Sequence, residues 1–293
     1  LIKAIADMLS VPAAVVFAVI IWWASTGLIL ILDGLPRGTF RWSLVVSSLL
    51  ALAAFVGLAH TADQTSVSGV YCAFTCALLV WGWHELTFLT GWITGPRRIA
   101  SAPGLTGWAR FSQAVQAILW HELGIIAAGA AIIAITWDAP NQIGTWTFLV
   151  LWVMRTSAKL NLYFGVRNLS EEFLPPHLTY LQSFFRRRPM NAFFPFAVGI
   201  STVVAALIFV RACDPATSID QSVGLALVGT MLALAILEHW LLVLPLSSTA
   251  LWRWAIRHRE TAKADTDTST FRRSATPVLA ADAALPVLRP PAT

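Results

Sequence analysis

Three His/Glu pairs stand out as residues with chemistry to offer: His84-Glu85, His121-Glu122 and Glu238-His239. The first two share one local context, Trp-His-Glu-Leu. Imidazole and carboxylate are the usual protein ligands of iron, manganese and zinc, and they also carry protons and form ion pairs. Arg155, Lys159 and Asn161 add cations and an amide. All of these residues fall within apolar runs, where an ionisable group is costly and normally has a partner. Other chemistries lack their residues. The chain has no Ser or Cys nucleophile system, Gly-rich phosphate loop or dinucleotide fingerprint. Neither the Glu-x-x-His pattern of helical di-iron proteins nor His-Glu-x-x-His is present. The 6 histidines do not form the closely spaced boxes of membrane desaturases and hydroxylases.

The elements that must position these residues are membrane helices. The 293-residue chain is 57% hydrophobic and 12% charged, about half the charged fraction of an ordinary soluble domain. The expected fold is an all-α, polytopic integral membrane protein. Apolar stretches long enough to span a bilayer recur at Val11 to Leu32, Trp42 to Ala59, Val67 to Thr90, Ser112 to Thr136, Ile143 to Gly165, Phe193 to Val210 and Ser222 to Leu246. The sequence therefore predicts seven transmembrane helices within residues 1–260, followed by a disordered cytoplasmic tail, 261–293, rich in Ala, Thr, Asp and Pro. The first segment reads as a retained helix rather than a cleavable signal peptide. The 3 cysteines give no disulfide framework.

Basic residues segregate by connection. Arg37, Arg41, Arg97, Arg98, Arg110, Arg167, Arg186, Arg187, Arg188 and the tail beginning Arg253, Arg257, Arg259, Lys263 fall on one side, against Lys3 and Arg211 on the other. The positive-inside rule then places the C-terminus in the cytoplasm and the N-terminus outside. The net charge of +5 thus reports orientation and calls for no nucleic-acid partner. The fifth connection, with Glu171, Glu172 and Phe184-Phe185 beside the Arg186–Arg188 triplet, reads either as a segment lying on an anionic lipid surface or as a plain cytoplasmic loop.

This topology puts the three pairs at one depth. His84 precedes Trp92 by about 12 Å of helix, His121 follows Ser112 by about 13 Å, and Glu238 precedes Leu246 by about 12 Å. All lie in the cytoplasmic half, and three chemistries fit such a layer. One is a structural network in which Glu85, Glu122 and Glu238 pair with Arg155, Lys159 and the histidines. Another is a transition-metal site (Fe, Mn or Zn) built from His84, Glu85, His121, Glu122, Glu238 and His239, with His177 a further candidate and Asn168, Glu171, Glu172 and His177 able to cap it from the cytoplasmic side, unless Glu171 and Glu172 only form a solvated turn. The third is a tetrapyrrole whose magnesium a histidine ligates. Neighbours in sequence are about 100° apart on a helix, so His84 and Glu85 cannot both point straight at one centre.

Four stretches carry a resemblance: WHELTFLTGWITGPRR (Trp83 to Arg98), the second WHEL (Trp120 to Leu123), the block from Met154 to Pro195, and LEHWLLVLPL (Leu237 to Leu246). Together they resemble the PuhE family, described as photosynthetic complex assembly protein 2 of purple and related phototrophic bacteria. The family's recurring polar residues match His84, Glu85, His121, Glu122, Asn161, Asn168, His177, Glu238 and His239. The resemblance implies a multi-pass protein of the bacterial inner membrane, cytoplasmic or intracytoplasmic. It implies a role in assembling the photosynthetic apparatus, with the lipid bilayer and reaction-centre or light-harvesting subunits as partners, or a role in bacteriochlorophyll supply. The bound group would then be a metal or a bacteriochlorophyll-type pigment. The alternative expectation is a membrane metalloenzyme acting on a tetrapyrrole, carotenoid or other lipophilic substrate.

Overall fold

The computed structural model describes residues 2–245 together with Trp252, Trp254 and Ala255. Each apolar run becomes one α-helix: α1 (Ile2–Gly34), α2 (Phe40–Thr61), α3 (Val67–Leu89), α4 (Gly107–Ile135), α5 (Ile143–Phe164), α6 (Phe193–Ala212) and α7 (Ile219–Val243). Among the described residues there is no β-strand, only an isolated parallel bridge between Val166 and Arg187. The expected tail, 261–293, lies outside the described residues. Six helices are long and apolar enough to cross a membrane, and α5 is the exception. Its lower hydropathy has a local cause, the run of polar side chains Arg155, Thr156, Ser157, Lys159 and Asn161 in its second half.

α3 is the central helix. It packs against α2, α5 and α7, with lighter contacts to α1 and α4. Of its apolar window 67% is buried, against 17% in α6. Its inward residues Val70, Ala73, Phe74, Ala77 and Val80 are all buried. The outer helices invert the pattern of a water-soluble bundle. On α2, Val45, Leu49, Leu52 and Val56 are exposed, and on α6 so are Phe196, Ile200, Val203, Leu207 and Val210. At spacings of three and four these form continuous apolar stripes, far larger than a monomer tolerates in water and suited to lipid tails as the solvent.

Two helices start earlier than the apolar runs suggest. α1 continues through Pro12 back to Ile2, and α4 starts at Gly107, within the connection that follows α3, rather than at Ser112. The fifth connection has more structure than a loop needs: it folds over the end of the bundle as two 3-10 turns, Glu171–Phe173 and Pro176–Phe184. Leu178, Leu181 and Phe184 are buried against Phe88 and Leu89 of α3 and Ala117 of α4. Arg110 Nη2 donates to the Phe184 carbonyl at 2.7 Å, and Arg186 N–H to the Leu162 carbonyl at 3.0 Å. Apolar side chains in a basic connection thus serve as a lid on the core.

The connection after α3 turns back along α4. Trp92 and Ile93 N–H both donate to the Thr87 carbonyl at 3.0 Å, and His121 N–H donates to the Thr94 carbonyl at 2.9 Å. This places irregular backbone beside a membrane helix, which is tolerated only where protein covers it. Gly95 makes the approach possible. A Cβ there would come within 2.0 Å of the Gln116 carbonyl oxygen and 2.6 Å of the Ala117 carbonyl carbon. Gly95→Ala is therefore expected to destabilise the protein by about 2–4 kcal/mol, read as a lowered unfolding midpoint in detergent. Gly38→Ala, where a Cβ meets nothing within 4 Å, should leave the midpoint unchanged. Equal midpoints for the two variants would show that the close approach of loop and helix is wrong.

Candidate functional site

The polar layer is organised by α5. Arg155 and Lys159 are four residues apart and so share one helix face. Arg155 Nη2 meets Glu85 Oε2 of α3 at 2.8 Å, and Lys159 Nζ meets Glu122 Oε1 of α4 at 2.5 Å. One turn of α5 thus binds two neighbouring helices by ion pairs. Ser157, between them, meets His239 Nε2 of α7 at 2.9 Å. The other ring nitrogen, Nδ1, lies 2.8 Å from the Ala235 carbonyl, which can only accept. His239 therefore donates through Nδ1, and in its neutral form accepts the Ser157 hydroxyl through Nε2. The third carboxylate, Glu238, accepts from Trp22 Nε1 of α1 at 2.9 Å.

Glu85, Arg155, Lys159, Glu238 and His239 all line one cavity of about 410 Å³ in the middle of the bundle. Its remaining wall is apolar and aromatic, with Trp81 and Phe88 from α3, Met231 from α7, and Phe173 and Phe184 from the folded-over connection. His84 and His121 sit elsewhere, between α3 and α4. Their ring centroids are 6.3 Å apart. His121 lies 4.5 Å from the Phe88 ring and His84 lies 6.3 Å from Phe148. His121 is 1% exposed and its Nδ1 has no hydrogen-bond partner. The six expected ligands are accordingly divided. The carboxylates of Glu85 and Glu122 are engaged by cations, and the imidazoles of His84 and His121 face aromatic rings. Among the described residues no group of three or more His, Cys, Asp or Glu side chains is placed to hold a metal ion.

The remaining candidates finish helix ends. Asn168 Nδ2 donates to the Leu241 carbonyl at 2.7 Å and to the Leu244 carbonyl at 2.5 Å, and its backbone N–H donates to the Leu242 carbonyl, so it satisfies the last carbonyls of α7. His177 Nε2 lies 2.8 Å from the Leu89 carbonyl at the end of α3. Its ring packs on Gly91, whose φ of +78° and lack of a Cβ both suit the site, since a Cβ would come 2.8 Å from the imidazole. Asn161 is fully buried and receives Asn191 Nδ2 on its side-chain oxygen at 2.9 Å. Sequence reading missed Asn191, which also bonds the Gly165 carbonyl and accepts the Phe193 and Phe194 N–H groups, capping α6. An Asn just before an apolar run is the start signal that could have found it.

Breaking one ion pair from one side should cost more than removing it whole. Lys159→Met leaves Glu122 unpartnered and is expected to lose about 3–5 kcal/mol, while the double variant Lys159→Met/Glu122→Leu recovers most of that. Equilibrium unfolding in detergent measures both. A double variant as unstable as the single one would mean that the pair does not act as a unit.

Comparison with known proteins places this geometry in a family. A protein of Rhodobacter capsulatus described as an uncharacterized 30.4 kDa protein in the puhA 5' region is 38% identical over 242 residues, covering 81% of this chain and 88% of the relative. No solved structure matches the chain. Residues 8–263 match the family described as protein of unknown function DUF3623, a stretch that includes most of α1, all of α2 to α7 and every residue of the polar layer, and the chain belongs to that family.

Proposed function

We propose that this chain is a seven-span protein of a bacterial cytoplasmic or intracytoplasmic membrane that serves the assembly of the photosynthetic apparatus, acting on the reaction centre, its light-harvesting complex or the supply of bacteriochlorophyll. The observation that carries this reading is the Rhodobacter capsulatus relative in the puhA 5' region, a photosynthesis gene cluster. The polar layer contributes by fixing the helix arrangement, since each of its ion pairs and hydrogen bonds ties α5 or α7 to another helix.

α5 completes the seventh crossing in this proposal. Its charges turn to α3 and α4 rather than to lipid, which removes the main penalty for spanning. The connections sort into two ends accordingly. Asn141, before α5, bonds Ala62 and Thr61 at the end of α2, so these two connections meet at one end. Arg110 bonds Phe184, and Ser101 N–H bonds Ser183 Oγ, so the basic connections meet at the other. The positive-inside rule supports a cytoplasmic location for the basic end.

Deletion of the gene in a phototrophic host should reduce reaction-centre or antenna absorbance in membranes several-fold, with recovery on re-expression. Tagged protein should co-purify with reaction-centre or light-harvesting subunits identified by mass. Unchanged pigment–protein levels together with no such subunit in the purified sample would sink the proposal. Orientation is tested separately with a membrane-impermeant maleimide on spheroplasts. Cys213, exposed at the end of α6, should react from outside, whereas Gly38→Cys in a cysteine-free background should react only after lysis. The opposite labelling pattern would invert the topology.

A further inference from the structure

The central cavity contains a cation whose bonding is incomplete. A guanidinium carries five N–H donors in a planar fork. Among the described residues Arg155 donates one hydrogen bond, to Glu85. Its side chain keeps 42% of its surface accessible although α5 packs against α3, α4 and α7, and that surface belongs to the cavity which Arg155 lines. A guanidinium donor held away from bulk solvent carries a desolvation cost until it finds an acceptor, and the Arg155 donors not taken by Glu85 face this chamber. An acceptor from outside the chain would remove this cost.

The rest of the wall indicates what else the occupant carries. Trp22, Trp81, Phe88, Phe173, Phe184 and Trp252 surround the space from α1, α3, the folded-over connection and the chain beyond α7. Flat aromatic side chains on several sides favour a flat, conjugated body that can stack or meet them edge to face. At about 410 Å³ the cavity falls within the usual range for small-molecule sites, roughly 300–1,000 Å³. Two carboxylates on the wall, Glu85 and Glu238, would favour a cationic ligand, but Glu85 is paired with Arg155, Glu238 accepts the Trp22 indole N–H, and a cation would also face the charges of Arg155 and Lys159.

We propose that this cavity binds a flat, lipophilic ring compound whose polar end bears carbonyl or carboxylate oxygens, with Arg155 as its anchor. The ring lies among the aromatic side chains and the oxygens take the free guanidinium donors in the bidentate manner that Arg favours. Nothing in this assignment depends on a photosynthetic role, because it follows from the cavity and the bonding of Arg155 alone.

The test uses the full chain, delipidated and placed in phosphatidylcholine nanodiscs, with four probes: protoporphyrin IX, its dimethyl ester, decylubiquinone and the cation tetraphenylphosphonium. Quenching of tryptophan fluorescence, corrected against empty nanodiscs, gives the affinity. Saturable binding of one equivalent of at least one oxygen-bearing ring is expected. Preference for the free acid over the ester identifies a carboxylate ligand, and equal binding of the ester or the quinone identifies a carbonyl ligand. Gly82→Phe is expected to weaken binding at least about tenfold by filling the chamber, because Gly82 lines it and a Cβ there meets only Ile29 Cδ1 at 3.9 Å. Arg155→Lys, which keeps the charge but loses the fork, should cost about tenfold as well. Leu207→Phe on the lipid-facing side of α6 should change nothing. Gly82→Phe leaves the ion pairs intact and keeps the test decisive if Arg155→Lys misfolds. The assignment fails if no ring probe binds beyond empty nanodiscs, if Gly82→Phe binds as well as the parent, or if tetraphenylphosphonium alone saturates the site.

Discussion

Two cations one helical turn apart cannot be left unpaired in a bundle whose outer surface is hydrocarbon, and the positions of the other helices around α5 answer that requirement. Arg155 and Lys159 emerge from the same face, so their carboxylates must arrive from elements lying side by side. Glu85 on α3 and Glu122 on α4 do so, and the two helices are thereby fixed in depth as well as in order. A slide of either helix by one turn, about 5.4 Å, would carry a carboxylate past its cation and leave two charges exposed to the apolar core. Apolar packing alone gives no such register, because a Leu or Val stripe meets another almost equally well after a shift of one turn. In a bilayer, where the lipid is as apolar as the packed faces, polar contacts hold the register that water would otherwise help to set.

The same economy of polar groups governs the backbone. Every helix end that points into protein rather than water needs its carbonyls and N–H groups answered. Asn168 answers α7, His177 answers α3 and Asn191 answers α6, all three from the single connection between α5 and α6. That connection therefore does more than join two helices. Its polar side chains close three helix ends while Leu178, Leu181 and Phe184 close the core beneath them. The Arg-rich triplet beside these residues stays at the outer edge, where Arg187 keeps a long, exposed contact with Glu171 at 3.9 Å that contributes little to stability.

Much of this was legible in the sequence, and the reasons differ by feature. The seven helices were visible because bilayer length and backbone satisfaction leave few options for an apolar run. That Glu85 and Glu122 find their partners in Arg155 and Lys159 was visible as one of the readings, because ionisable groups in apolar runs need counter-charges. What periodicity could not supply was azimuth. His84 and Glu85 are neighbours in sequence, yet one faces α4 and the other the cavity, and only packing decides which. The lid escaped for a related reason. Phe184 beside three arginines has the composition of a surface segment, yet it is buried in a cluster with Phe88, Leu89 and Ala117, and its carbonyl accepts from Arg110, 74 residues away. Gly95 was unremarkable as a loop glycine, since the need for it comes from the backbone of a helix that the sequence does not place beside it.

The cavity and the polar network follow from one arrangement. Trp22–Glu238, Arg155–Glu85 and Lys159–Glu122 each place at least one group on the cavity wall, and Ser157–His239 adds a fourth contact at its rim. Hydrogen bonds and ion pairs hold their partners near 3 Å with defined direction, so helices joined in this way keep the separation that their side-chain lengths dictate. Apolar side chains have no such fixed length of engagement and would shrink the space if the helices were free to close. A ring of polar contacts around an apolar void therefore props it open. Trp22–Glu238 joins α1 to α7, the two ion pairs join α3 and α4 to α5, Ser157–His239 links α5 to α7, and the space they enclose is left lined by aromatic rings and one under-bonded guanidinium. The interactions that make the bundle a unique structure are thus also those that keep room within it for something else.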